Sequence, residues 1–269
     1  QQVGGIIGTN IKNATLSSIT NYGKVTAKKL VGGIVGHTLT AELNIDSVSN
    51  HGDVTAFGPS SSSSSSYDGT GGIIGGHLSG PITISNSYNL GTVSGEKNIG
   101  GIVGDNRVAT NFSNVYNAGN VTASAASPIY GAIIGREAKS SQLSNSFYLT
   151  GTALSDVGSG TTSGNATRVS IAQMAALSNF EEAGWDIARY PSTSSVWSIQ
   201  YDGQTTYPWL TEMGEPHASQ IIETIPVLTA QDFETINSNL YGNFVLESDI
   251  DLATYTNLTQ SFVNATFTG

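Results

Sequence analysis

The sequence predicts a mainly β fold: a parallel β-solenoid (β-helix) of about five coils, followed by a small α+β capping segment and the start of a second solenoid unit. Three observations carry that expectation. A glycine motif recurs at a near-constant spacing, an asparagine motif recurs in register with it, and the pattern changes near residue 154.

The string GG-I-[IV]-G stands at Gly4 to Gly8, Gly32 to Gly36, Gly71 to Gly75 and Gly100 to Gly104, with a degenerate GAIIG at Gly131 to Gly135. The starts lie 28, 39, 29 and 31 residues apart, and the long interval holds a polar insertion, GPSSSSSSSYDGT, at 58–70. A period of about 29 remains once that insertion is set aside, which is the signature of stacked structural repeats. A single copy cannot bury its own apolar side chains, whereas each stacked copy covers the next. Glycines beside Ile-Ile or Ile-Val pairs are expected where the backbone turns sharply or another backbone comes close.

The second motif follows each glycine string: Asn21-Tyr-Gly-Lys-Val25, Asn50-His-Gly-Asp-Val54, Asn89-Leu-Gly-Thr-Val93 and Asn117-Ala-Gly-Asn-Val121, with Leu149-Thr-Gly-Thr-Ala153 as a fifth, divergent copy. Between the motifs lie apolar patches such as Leu43 with Ile45 and Ile82 with Ile84, so each copy offers three short strand-like segments. Stacked strands lie about 4.8 Å apart, giving an array on the order of 20 Å long. Stacking would place Asn21, Asn50, Asn89 and Asn117 in a ladder at one corner, a structural role for their amides. Directly after the glycine motif come Thr9, His37, Gly76, Asp105 and Arg136, so Asp105 and Arg136 are expected to be neighbours, weakly coupled if exposed.

GGI[IV]G, a spacer and S-x-[SY]-N-x-G-x-V together resemble the GLUG motif repeats of large bacterial surface proteins. These include filamentous-haemagglutinin-like adhesins and the non-catalytic repeat regions of immunoglobulin-A-peptidase-like proteins. The third copy, with ISNSYNLGTVSG at 84–95, is nearest the pattern, and the similarity covers residues 1–153. The resemblance implies a non-catalytic stalk or adhesin segment at the cell surface or outside the cell.

Beyond the array, Ser170 and Gln173 are spaced as a capping box, and Ile171, Met174, Leu177 and Phe180 recur on one face, so a helix is expected from Ser170 to about Gly184. Asp202-Gly203 predicts a hairpin turn between Val196-Trp197-Ser-Ile199 and Tyr207-Pro-Trp209-Leu210. All three tryptophans fall here, read either as a carbohydrate platform or, preferably, as cover for the open last coil at 154–214. Residues 215–224 read as a linker and 225–269 as a following β-rich unit, with a helix from Thr229 through Asn239 and a strand at Phe244 to Leu252. Asp249 and Asp251 are weak calcium candidates, short of the further carboxylates a hard cation prefers.

Composition narrows the function. The net charge of −10 disfavours nucleic acid and anionic membranes as partners, and the absence of cysteine excludes disulfides and thiolate metal sites. No apolar run approaches the roughly 20 residues of a membrane span, and no cofactor is implied. The opening QQVGG has no leader, and both ends read as cut from something longer or as completed by a neighbouring molecule. Expected partners are therefore other copies or adjacent repeats, joined head to tail into filaments, together with host or cell-surface glycans or proteins reached through the loop at 58–70. The alternative is a polysaccharide lyase or hydrolase, which needs grouped carboxylates. Glu42, Asp46, Asp53, Asp68, Glu96, Asp105 and Glu137 fall at scattered repeat positions, and His37, His51, His77 and His217 form no HExxH. Catalytic residues are accordingly expected to be absent. A phosphate loop would need one glycine string between strand and helix, not five.

Overall fold

The structure, a computed structural model, describes residues 2–39, 42–58, 68–125, 128–236, 239 and 242–250. The chain divides into two compact units, Gln1–Arg168 and Val169–Gly269.

The first unit is mainly β and built of parallel sheets of stacked strands. Each of the first four sequence copies contributes one strand to each of four sheets, the fifth joins the first three, and the same sheet is re-entered one copy later. The first sheet takes Val3–Gly4, Val31–Gly32, Thr70–Gly71, Ile99–Gly100 and Tyr130–Gly131. The second takes Ile7–Asn10, Val35–Thr38, Ile74–His77, Val103–Asn106 and Ile134–Glu137. The third holds the long strands Ala14–Asn21, Leu43–Asn50, Ile82–Asn89 and Thr110–Asn117, and the fourth Val25–Ala27, Val54–Ala56, Val93–Gly95 and Val121–Ala123. This return to each sheet in strict rotation is consistent with a β-solenoid.

Four strands per copy, rather than the expected three, follow from the glycine motif itself. Its first and last glycines belong to different sheets, with a bend between them. A Cβ on Gly71 would lie 2.0 Å from the carbonyl oxygen of Ile74, so the bend closes only on a residue without a side chain. None of the ten motif glycines at these positions has a positive φ; close backbone approach, not left-handed geometry, selects them.

In-register pairing makes columns of like residues. Leu16, Ile45, Ile84, Phe112 and Leu143 are successive partners, all buried, and Ile34, Ile73, Ile102 and Ile133 are fully buried at the bend. Each such side chain contributes roughly 1.5–3 kcal/mol by burial. The long strands turn at Ser18, Ser47, Asn86, Asn114 and Asn145, whose φ values lie between 45° and 56°. That is a second vertical set of polar residues, unforeseen from the motifs.

Pairing continues past Ala153: Val157–Ser159 joins the second sheet against Ile134–Glu137. The fifth asparagine-motif copy is also one residue longer than its alignment suggests. Asn117 pairs with Tyr148, not Leu149, and the extra residue is taken up at Gly151, which has a φ of 93° where the equivalent glycines of earlier copies have none that is positive.

The second unit opens with two short helices in place of one, α1 (Ile171–Met174) and α2 (Leu177–Glu182). The Ser170–Gln173 capping box forms as expected, but Ala176 is extended, and the Asn179 side chain takes the Gln173 carbonyl at 2.7 Å. Trp197–Tyr201 and Gln204–Leu210 form the hairpin, with Asp202 and Gly203 both left-handed at its turn. Trp185, Trp197 and Trp209 are all buried, with Phe180 and Trp185 centroids 4.9 Å apart and Trp185 and Trp197 4.6 Å apart, so they make a core and no sugar platform.

The expected linker at 215–224 lies inside this unit. His217 caps a turn at Ala218–Gln220, Ile222 is buried, and its amide donates to Thr205 O at 2.9 Å. Ile225 packs in one apolar cluster with Ala172 and Ala175, which places the start of the expected following unit in the same compact body. There Ile225–Val227 pairs in parallel with Phe244–Leu246, and α3 (Ala230–Thr235) starts from a Thr229–Asp232 capping box. The helix ends at Thr235, short of the expected Asn239.

Candidate functional site

Three polar columns run across the stacked copies of the first unit. At the corner between the third and fourth sheets, Asn21 Nδ2 donates to Asn50 Oδ1 at 2.7 Å, Asn50 to Asn89 at 2.7 Å, and Asn89 to Asn117 at 2.8 Å. The second hydrogen of each amide goes to the carbonyl two residues on, at Gly23, Gly52, Gly91 and Gly119. Both amide hydrogens of Asn21, Asn50 and Asn89 are thereby used, as burial requires. The second glycine of each GG pair exists to admit this ladder. A Cβ on Gly72 would sit 2.5 Å from Asn89 Cγ, and one on Gly101 2.4 Å from Asn117 Cγ. Copy five loses both partners together: Ala132 replaces the glycine where Tyr148 replaces the asparagine.

The other two columns flank the end of the second sheet. Thr9, His37, Gly76, Asp105 and Arg136 are successive partners, as expected. Asp105 is only 2 % exposed, however, and is held by Arg107 at 2.9 Å and Arg136 at 3.4 Å. The pair, expected to be weakly coupled only if exposed, is thus part of a largely buried cluster. Burial pushes the Asp105 carboxyl up from its ordinary range, while Arg107 and Arg136 pull it back. His37, also buried, has its pKa lowered to about 4, by burial first and then by the nearby charges of His77 and Arg107.

One residue further on, Asn10, Thr38, His77, Asn106 and Glu137 are all buried. His77 Nδ1 lies 2.7 Å from Asn106 Oδ1 and its Nε2 2.8 Å from Gly80 O; Asn106 Nδ2 donates to Glu137 Oε2 and to Ser141 Oγ, each at 2.9 Å. Sequence analysis found only that these histidines form no HExxH and gave them no place in a column. The available signal was that this position, two residues after the last glycine of each motif, is polar in all five copies.

The remaining sequence candidates stay apart. Asp249 is exposed at the end of a short strand, and Asp251 lies outside the described residues. Most of the serine loop, 59–67, likewise lies outside them. Asp46 accepts from Ser47, Ser85 and Asn86, and Asp53 from the Thr92 amide, which ties each to its neighbour copy. Among the described residues no group of three or more His, Cys, Asp or Glu could hold a metal. No helix of the described residues is long and apolar enough to cross a membrane. A shallow cleft gathers Lys28, Lys29, Asp68, Glu96 and Lys97, with Lys29 paired to Asp68 at 2.9 Å.

Comparison with known proteins adds one relative. The chain is 37% identical over 131 residues to a protein of Evansella cellulosilytica that carries the provisional name Gly-rich membrane protein; the match covers 45% of this chain and 13% of that protein. No family model matches the chain, and no solved structure matches it.

Proposed function

We propose that this chain is a non-catalytic structural or adhesive segment of a large extracellular or cell-surface protein, built as a GLUG-type β-solenoid of about five coils. The observation that carries the reading is the ladder from Asn21 to Asn117, in which polar groups are spent on joining copies to one another. Repeats tied in this way transmit load along the stack through many parallel hydrogen bonds. The name of the Evansella relative, which places that protein at a membrane, supports a surface location. Partners are adjacent repeats or other copies, head to tail, and surface glycans or proteins met by the loop at 58–70; nucleic acid and membrane insertion have no part in it.

Single-molecule pulling of the chain tests the stalk. The array is expected to resist extension and then yield in one or a few cooperative rips; smooth lengthening at low force would end the reading. Binding to a glycan array that is lost on deleting 58–70 supports adhesion, and no binding leaves the stalk role alone. Electron microscopy at rising concentration decides the filament, which uniformly monomeric particles would exclude.

A further inference from the structure

The first copy of the array has an uncovered side whose sequence is not that of a free edge. Its four strands, Val3–Gly4, Ile7–Asn10, Ala14–Asn21 and Val25–Ala27, are each the end member of their sheet and pair on one side only. Free edges are ordinarily kept from pairing by charge, proline or a bulge. None of these four strands contains a charged residue or a proline. Ile6 is 50 % exposed, whereas Ile34, Ile73, Ile102 and Ile133, at the same motif position, are fully buried. Val3, Ile7, Ala14 and Ile19 are likewise only partly buried against the core. The ladder breaks off in the same sense. Each asparagine donates to the copy after it, so Asn50 Oδ1 accepts from Asn21 and Asn89 Oδ1 from Asn50. Among the described residues no earlier amide reaches Asn21 Oδ1, which accepts the Gly23 backbone amide at 3.1 Å instead.

We infer that this side of the first copy is a one-way docking surface for a further coil of the same repeat, a parallel coil that lays an apolar side chain over Ile6 and brings an asparagine amide to Asn21 Oδ1. The inference rests on the solenoid reading above and narrows its partner. Continuity with the interface between copies carries it: the first copy presents the sheet edges, the bend isoleucine and the amide acceptor that the second copy presents to the first. Direction follows from the ladder. Two such faces meeting about a two-fold axis would set acceptor against acceptor, so an isologous dimer forfeits the amide bond. The fifth copy of a second chain cannot supply the donor either, because Tyr148 stands at the ladder position and Ala132 fills the space of the glycine. The occupant is therefore a coil that carries both the second motif glycine and the asparagine, as copies one to four do.

The test adds such a coil to the full chain. Residues 71–98, the third copy, are fused ahead of Val3, which restores the spacing from one glycine motif to the next. Hydrogen exchange of the backbone amides over Val3–Asn21 is expected to slow by at least about tenfold. Asn21→Ala, mild at the end of the ladder, is expected in the extended chain to lower the melting temperature as far as loss of the native Asn89 does. Unchanged exchange over Val3–Asn21, or an Asn21→Ala loss no greater than in the unextended chain, overturns the docking surface. The stacking reading survives that result so long as residues 43–121 stay protected, and falls only if they do not. A second extension bearing Asn89→Ala keeps the apolar side and removes the donor. It is expected to lose most of the gain, and equal protection without the amide would overturn the direction assigned to the contact. Sedimentation of the unextended chain at rising concentration checks the competing occupant: a monomer is expected, and self-association that the extension blocks would make a second copy the partner and overturn the assignment.

Discussion

Gly72 and Asn89 show how a single residue carries the architecture. The glycine lacks a side chain because the asparagine amide occupies that space, and a methyl group on Gly72 would also fall 2.1 Å from the Gly101 carbonyl. Gly72→Ala is therefore expected to cost at least about 2 kcal/mol, seen as a lower urea midpoint with an unchanged slope. Asn89→Ala strands the donor of Asn50, the carbonyl of Gly91 and Asn117 Oδ1 inside the array, and a loss of about 2–4 kcal/mol is expected from these unmet groups. Asn21→Ala, at the end of the ladder, should lose markedly less. In the opposite direction, Ser47 adopts a φ of 56° where later copies place Asn86 and Asn114. Asn tolerates that conformation better, so Ser47→Asn should raise stability by a few tenths to about 1 kcal/mol in the same assay. The first ladder was legible because its glycine and asparagine recur as letters. The left-handed set was not, because serine and asparagine share it and either is ordinary elsewhere.

At the level of the element, the second sheet is apolar and glycine-lined where it meets the bend and polar where it ends, and that polar end sets the response to pH. His37 is buried with its pKa lowered to about 4, so it folds as the neutral ring. Its contribution is present above the unfolded value of about 6.5 and is lost as pH falls from there towards 4, because the unfolded chain binds the proton first. Thermal melts should show stability declining over that acidic window, and His37→Gln should flatten the decline. Sequence patterning placed this strand and its register correctly. It could not assign burial to the histidines, since burial there depends on side chains from other copies, including Leu30, whose methyl lies where a Cβ on Gly76 would go. Element type was likewise clear for the capped helix at Ser170, while its break at Ala176 depended on a tertiary carbonyl contact from Asn179 that no local pattern signals.

For the whole molecule, the repeat period alone implied stacked parallel strands, because an internal period of about 29 residues leaves apolar faces that only a neighbouring copy can cover. The second unit carried no period. One of its apolar clusters joins segments far apart in sequence, Ala172 and Ala175 with Ile222 and Ile225, which is why 215–224 resembled a linker and proved to be built in. The central claim is that equivalent residues of successive copies lie directly over one another. Thr15, Asn44 and Thr83 are successive register partners on the long strands, with the Thr83 hydroxyl bonded to Asn44 Oδ1 at 2.7 Å. The chain has no cysteine of its own, so an introduced pair reports without background. Adjacent stacked strands lie about 4.8 Å apart, within the span of a disulfide, and strands two copies apart lie about twice that distance, outside it. The most direct measurement is oxidation of two double variants. Asn44→Cys with Thr83→Cys is expected to cross-link within the chain, and Thr15→Cys with Thr83→Cys to remain reduced; the reverse pattern, or no cross-link in either, would contradict the stacking.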